Sequence, residues 1–284
     1  LQEGNINLES YWSPWPELYE STFGRPLPQL TLKKGRDFDR IIFGISLASI
    51  PLLCPQLLEQ SPALKTTTKE VKTVVTQAYQ VWLNKNLAQM GWTDQPKGQE
   101  PVLSGFSEPF DTWAPMDQLL CREDWPVDEK PKNVSYFCSA MPLTHFPPDN
   151  DYEFPERCKQ QAKQNAIEQL EQRITGLWPN AGGVGHFKWE WLIDLDGGSG
   201  EARFDSQYWR ANIDPSEHYV MSVVNSSQHR IDTDGSGFSN LFMVGDWIKT
   251  GLNAGCVEAA VMSGMQCSRA MTGYPKVIKG ETDF

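Results

Sequence analysis

Residues 240–273 read NLFMVGDWIKTGLNAGCVEAAVMSGMQCSRAMTG, and this stretch decides the fold. Leu241 to Val244 is an apolar run that stops at Gly245-Asp246, as a buried strand does at its carboxyl end. From Val257 onward, apolar or small residues fall at 257, 260, 261, 264, 267, 268 and 271. That three-and-four spacing predicts a helix packed on this face, with Gly273 able to end it. The unit is therefore strand, Gly-Asp loop, Gly-rich turn, helix. Ala260 and Gly264 on the same face allow close approach to a sheet or a ligand.

Such a unit has a chemical use. In an open α/β sheet, ligands sit beyond the carboxyl ends of strands, and the unpaired amides of a helix start offer positive partial charge. Asp246 is placed to accept hydrogen bonds from ribityl or ribose hydroxyls and the Gly245 amide to approach phosphate; the competing reading is that Asp246 caps a turn. Glu258 reads as a residue that complements the helix dipole, or as a direct ligand contact. Trp247 and Trp189 are either stacking partners or core.

Working outward, Leu30–Leu32 reads as a strand ending in a turn, and Phe38–Ile45 as a second strand. The core of the second run, Ile41-Ile42-Phe43-Gly44-Ile45, is continuously apolar, which predicts a strand covered on both faces of a parallel sheet. Residues 41–58 carry no charge, but Pro51 and Pro55 interrupt them, so strand, turn and helix start fit better than a membrane span. Residues 1–30, rich in Trp, Pro and Gly, are expected to lie extended. Ser61-Pro62 predicts a helix start, Thr73–Leu83 and Val134–Cys138 predict strands, and Asp151–Leu177 predicts a helix with Cys158, Ala162, Ala166 and Leu170 on one face.

Composition sets the limits. The 284 residues suggest one large or two modest domains, at a prior of roughly 150 residues each. With 39% hydrophobic residues and 11 Trp the chain can cover the entropy of ordering. A net charge of −11 argues against nucleic acid as partner. The six cysteines show no C-x-x-C spacing and read as reduced core thiols. Asp194-Leu195-Asp196-Gly197 and Asp232-Thr233-Asp234-Gly235 lack the ligand spacing of a calcium loop and read as turns. Nothing from Leu1 onward has the order of a secretory leader, and the cytoplasm is the expected compartment. The four histidines, 145, 186, 218 and 229, stand apart, so no catalytic base is assigned.

The run GDWIKTGLNAGCVEAAVMSG resembles the carboxy-terminal cofactor motif of the flavin-containing amine oxidase and phytoene desaturase-like oxidoreductases. That motif is an apolar strand, Gly-Asp, a Thr-Gly turn and a Val-Glu-x-Ala-x-x-Ser-Gly helix. The Asp37–Pro51 segment is similar to the part of that family which returns from the substrate domain to the cofactor domain. The resemblance implies FAD as cofactor. It implies that Gly245 and Asp246, with Trp247 beside them, meet the diphosphate and ribityl part, and that Thr250, Gly251, Leu252 and Asn253 run along the flavin. Ala254 belongs to the same binding run, and amides near Gly255, Cys256 and Val257 would face the pyrimidine edge of the ring, where a helix terminus stabilises developing negative charge. Cys256 stands where the family uses a small residue, and a reactive thiol is the competing reading.

One part of that family's pattern is missing: no G-x-G-x-x-G lies between an early strand and helix. The resemblance then implies the carboxy-terminal part of a longer flavoprotein, whose G-x-G-x-x-G region would be its partner. The expected fold is mixed α/β, an incomplete Rossmann-like cofactor lobe plus a substrate lobe of mixed sheet and helices. Residues 1–50 would return to the cofactor lobe, 51–235 would form the substrate domain and 236–284 the terminal cofactor segment. The implied activity is FAD-dependent hydride removal from an amine or an apolar, isoprenoid-like small molecule, absent from this chain in isolation. The rival is a non-catalytic binding or assembly module that keeps the shape without FAD.

Overall fold

The computed structural model describes residues 10–93, 101–143 and 145–282. The chain divides into two compact units, residues 1–75 with 213–284, and residues 76–212. Residues 51–75 and 213–235 cluster with the first unit. In chain order the first unit carries α1 (Trp15–Phe23), β1 (Ile41–Phe43), α2 (Ile50–Leu53), α3 (Pro55–Gln60), α4 (Pro62–Glu70) and β2 (Thr73–Val74). The second follows with β3 (Thr76–Leu83), α5 (Leu87–Met90), β4 (Thr112–Pro115), β5 (Asn133–Ala140), α6 (Phe154–Gln172), β6 (Gly182–Gly183), β7 (His186–Phe187) and β8 (Tyr208–Asn212). The chain returns to the first unit through β9 (Tyr219–Val220), β10 (Leu241–Met243) and α7 (Val257–Thr272). The fold is a mixture of helix and strand, as the sequence predicts.

The second unit is built on an antiparallel sheet in the order β4-β5-β3-β8. Thr, Tyr, Val and Trp in β3 suit a pleated, half-buried surface, and this strand pairs on both edges. Pro155 sits in the first turn of α6, where a missing amide costs nothing, and Cys158, Ala162, Ala166 and Leu170 form its buried stripe as their spacing predicts. Tyr79 stacks on Phe137 at 4.5 Å and meets the edge of Phe110 at 4.8 Å. Its hydroxyl donates to Gln169 Oε1 at 2.8 Å, which satisfies a polar group buried in the core. Trp189, partly buried, packs against this core and donates to Glu171 Oε1.

In the first unit β1 and β10 run parallel with Phe43 opposite Met243, and β2 pairs antiparallel with β9. Phe43, Ile50, Leu64, Met243 and Ile248 centre its core. Ser61 Oγ accepts from the Leu64 amide and Pro62 opens α4, the predicted start. Pro51 and Pro55 likewise stand in the first turns of α2 and α3, so the uncharged run of 41–58 is strand, turn and short helices. No helix of the described residues is long and apolar enough to cross a membrane.

Several expectations are corrected. Residues 15–23 are helical, not extended, because Pro16 falls in the first turn and Gly24, at φ 64°, ends it; residues 1–9 of that reading lie outside the described residues. Leu30–Leu32 forms no strand; a lone bridge joins Lys34 to Phe38. The strand read from Phe38 to Ile45 shortens to Ile41–Phe43, and it is not covered on both faces, since Ile41 is 40% and Ile42 57% exposed. The parallel sheet holds two strands among the described residues, not the open sheet of a Rossmann lobe. Cys121 is exposed and Cys54, Cys138 and Cys256 are half-buried, so the cysteines are free thiols but not uniformly core.

The largest correction concerns α7. Its buried residues are Ala259, Met262, Ser263 and Cys267, whereas Val257, Ala260, Val261, Gly264 and Ser268 are exposed. The apolar stripe that predicted the helix thus faces away from the core, with Cys267 alone shared. Apolar residues surround this helix, so periodicity finds the helix without finding its inner side.

Candidate cofactor cleft

Because β1 and β10 are parallel, Gly44–Ser46 and Gly245–Trp247 leave the sheet at the same end. A cleft of about 530 Å³ opens there, lined by these segments, by Tyr219, and by Gly255, Cys256, Val257 and Ala260 at the start of α7. Its size falls within the range of small-molecule sites. It lies wholly within the first unit.

Two glycines shape it. Gly245 has φ 138°, and a Cβ there would stand 2.7 Å from Trp247 Nε1. Trp247 is 2% exposed and donates Nε1 to Ile45 O at 3.1 Å, so the indole joins the two strand ends as a core residue that reaches the cleft. A Cβ on Gly255 would meet Tyr219 Cζ at 2.7 Å and Val220 O at 2.8 Å, and the Tyr219 hydroxyl donates to Gly255 O. Both positions need a bare α-carbon.

The Gly245 amide donates to Ser263 Oγ at 2.8 Å, and that hydroxyl donates to Ala260 O at 2.6 Å. This pair fastens the strand end to α7 and takes up the donor that the sequence reading offered to phosphate. At the helix start, the N-cap residue Cys256 makes no side-chain capping bond, and the first turn carries Glu258. The orphan amides of that turn are left for water or a ligand.

Asp246 is the one carboxylate lining the cleft among the described residues. It is half-buried, and among the described residues no other side chain or amide is bonded to its oxygens; its own backbone amide holds it. Burial raises its pKa, and the charge of Arg230 opposes that rise. Arg230 is 4% exposed. It donates Nη1 to Asp246 O at 2.6 Å and Nη2 to Ser222 Oγ at 3.2 Å, with longer contacts to Ile248 O and Met221 O at 3.5 Å. Burial lowers its pKa, against the attraction of Asp246, Cys256 and Tyr219.

Of the residues assigned to the cofactor, Gly245, Asp246, Trp247, Gly255, Cys256 and Val257 meet at the cleft. Thr250, Gly251, Leu252, Asn253 and Ala254 are not among its lining. Thr250 Oγ1 accepts from the Asn253 and Leu252 amides while Asn253 Oδ1 accepts from the Thr250 amide, which locks the turn on itself. Gly251 is buried, and a Cβ there would collide with Gly280 O in the C-terminal tail. Tyr219 and Arg230 escaped the sequence reading, and Ser263, which lies within the quoted helix motif, was given no role in it. Arg230 lies in the polar stretch NSSQHRIDTD, where no local pattern marks one cation as buried.

No family model and no curated protein matches the chain. Among solved structures, an oxidoreductase from Methanosarcina mazei is similar with 14% identity and a TM-score of 0.43. The match covers 81% of this chain and 42% of that one, so this chain spans less than half of its length.

Proposed function

We propose that this chain carries the flavin-facing part of an FAD-dependent oxidoreductase that takes hydride from an amine or an apolar, isoprenoid-like substrate. The observation that carries the reading is Asp246. It is a half-buried carboxylate with open acceptor positions, set beyond the carboxyl ends of two parallel strands and beside an uncapped helix start. A ligand with adjacent hydroxyls and an electron-rich ring edge fits that combination.

In this reading Asp246 accepts from ribityl hydroxyls, and the bare α-carbons of Gly245 and Gly255 let Trp247 and Tyr219 pack closely into the cleft wall. The first-turn amides of α7 face the pyrimidine edge and favour the charge that develops there. Thr250, Gly251 and Asn253 act indirectly, by fixing the turn that leads into α7. When bound, the flavin supplies the hydride-accepting chemistry, and the protein orients it and excludes water. The diphosphate is held elsewhere, since the Gly245 amide is occupied by Ser263. A strand-turn-helix region bearing G-x-G-x-x-G, the partner in this proposal, would cover the outer face of α7 and the open edge of β1.

That same occupied amide, with the exposed outer face of α7, favours as second reading a binding or assembly module without FAD. Titration of flavin fluorescence separates the two. Riboflavin, which needs only the ring and ribityl contacts, is expected to bind, and FAD to bind no more tightly. Asp246→Ala should weaken riboflavin by about 1.5–3 kcal/mol, the loss of a hydrogen bond to a charged group. Absence of riboflavin binding at millimolar concentration would overturn the flavin reading.

A further inference from the structure

Arg230 and Asp246 are two opposite charges, each poorly exposed and neither in a salt bridge among the described residues. A buried guanidinium without a carboxylate partner is costly, and so is a half-buried carboxylate. The cation nevertheless spends its shortest bond on the main-chain carbonyl of Asp246, at 2.6 Å, and leaves the carboxylate alone. Its Nε has no partner among the described residues. A direct Arg-carboxylate fork would be the stronger contact, but it would consume the acceptor positions that face the cleft.

The same guanidinium gathers the pieces of the wall. Nη1 reaches the carbonyls of Asp246 and Ile248, and Nη2 reaches Ser222, whose hydroxyl in turn donates to Asn253 O. The loop after β10, the segment after β9 and the turn before α7 are thereby tied to one buried group. The charged or titratable groups that interact with Arg230 are Asp246 in the loop after β10, Cys256 at the start of α7 and Tyr219 from β9, all at the cleft.

We propose that Arg230 is the positioning residue of this cleft: anchored on the Asp246 carbonyl, its guanidinium sets a positive charge beside the carboxylate without forming the fork, so that acceptor positions stay open to a hydroxyl-bearing ligand. The inference rests on the reading of the cleft as a ring-and-ribityl site, and it adds what makes the acceptor available. Lysine can replace the charge but not the fork that spans separate acceptors.

The test needs no flavin, so its result stands apart from the riboflavin titration. The chain is labelled with ¹³C-carboxyl aspartate, the Asp246 signal is assigned by its loss in Asp246→Asn, and its midpoint is followed by NMR. In Arg230→Met the midpoint should move to higher pH. In Arg230→Lys it should stay near that of the unaltered chain, while hydrogen exchange at the Lys249 and Asn253 amides speeds up by roughly tenfold as the clamp is lost. An unchanged midpoint in Arg230→Met overturns the proposal. If that variant fails to fold, the unaltered chain still decides: Asp246 found protonated at pH 7 overturns it as well.

Discussion

In residues 76–212 the antiparallel sheet closes against α6, and Tyr79 lies fully buried between Phe137 and Phe110. In residues 1–75 with 213–284, the parallel pair β1 and β10 leaves Ile42 exposed, and α7 turns Val257 and Val261, 75% and 52% exposed, away from its core. The difference follows from strand direction. An antiparallel sheet with one face packed on a helix is complete, because its other face tolerates water. Parallel strands are normally covered on both faces, and two strands of three residues are too little sheet to stand without further packing. On the far side of β10 the chain supplies its own cover, with Met243 donating to Thr233 O and Thr233 Oγ1 donating to Met243 O. Beside β1 no described strand does so.

This contrast can be broken at its strongest point first. Phe137→Ala removes a fully buried ring from the stacked core of the second unit and should cost about 3–5 kcal/mol, measured by denaturant unfolding. A loss below 1 kcal/mol would mean that this core is not closed as described. In the first unit, Gly251→Ala drives a methyl into Gly280 O and should cost about 1–3 kcal/mol, seen as a lowered Tm.

A smaller effect, with a defined sign, is expected at Asp246. Burial raises its folded pKa above the unfolded value, so the stabilising contribution is present below the ordinary carboxylate pKa and is lost as pH rises through the folded one. Asp246→Asn should therefore be at least as stable as the unaltered chain at neutral pH, and the difference in Tm should shrink as the medium is made acid. A variant that loses stability at neutral pH, and regains it in acid, would reverse the sign. The smallest effect belongs to the outer face of α7. Val261→Lys with Met265→Lys should change stability by no more than about 0.5 kcal/mol each while reducing the binding of a hydrophobic dye. A large loss would show that this face is packed after all.

Much of the second unit could be read from its residues. The four-residue spacing of Cys158, Ala162, Ala166 and Leu170 finds its helix because the pattern is local, whereas the β-branched and aromatic run of Thr73–Leu83, read as one strand, splits into Thr73–Val74 and Thr76–Leu83, which pair in different sheets. The first unit was legible in its motif and not in its surroundings. Gly245, Asp246 and Gly255 line the cleft, and Thr250 and Gly251 do not. The sequence could not reveal that the Gly245 amide is taken by Ser263, eighteen positions later.

By itself the sequence determined where α7 begins and ends, where α4 is capped, and that a strand gives way to a Gly-Asp loop. Those features depend on residues within one or two turns of each other. Tertiary structure alone decided which side of α7 is buried, since an all-round apolar helix takes its orientation from the surface it meets. It also decided that Arg230 comes against Asp246 and Tyr219 against Gly255. Those contacts join residues far apart in the chain, and their strength comes from burial, a property of the folded chain and not of its local pattern.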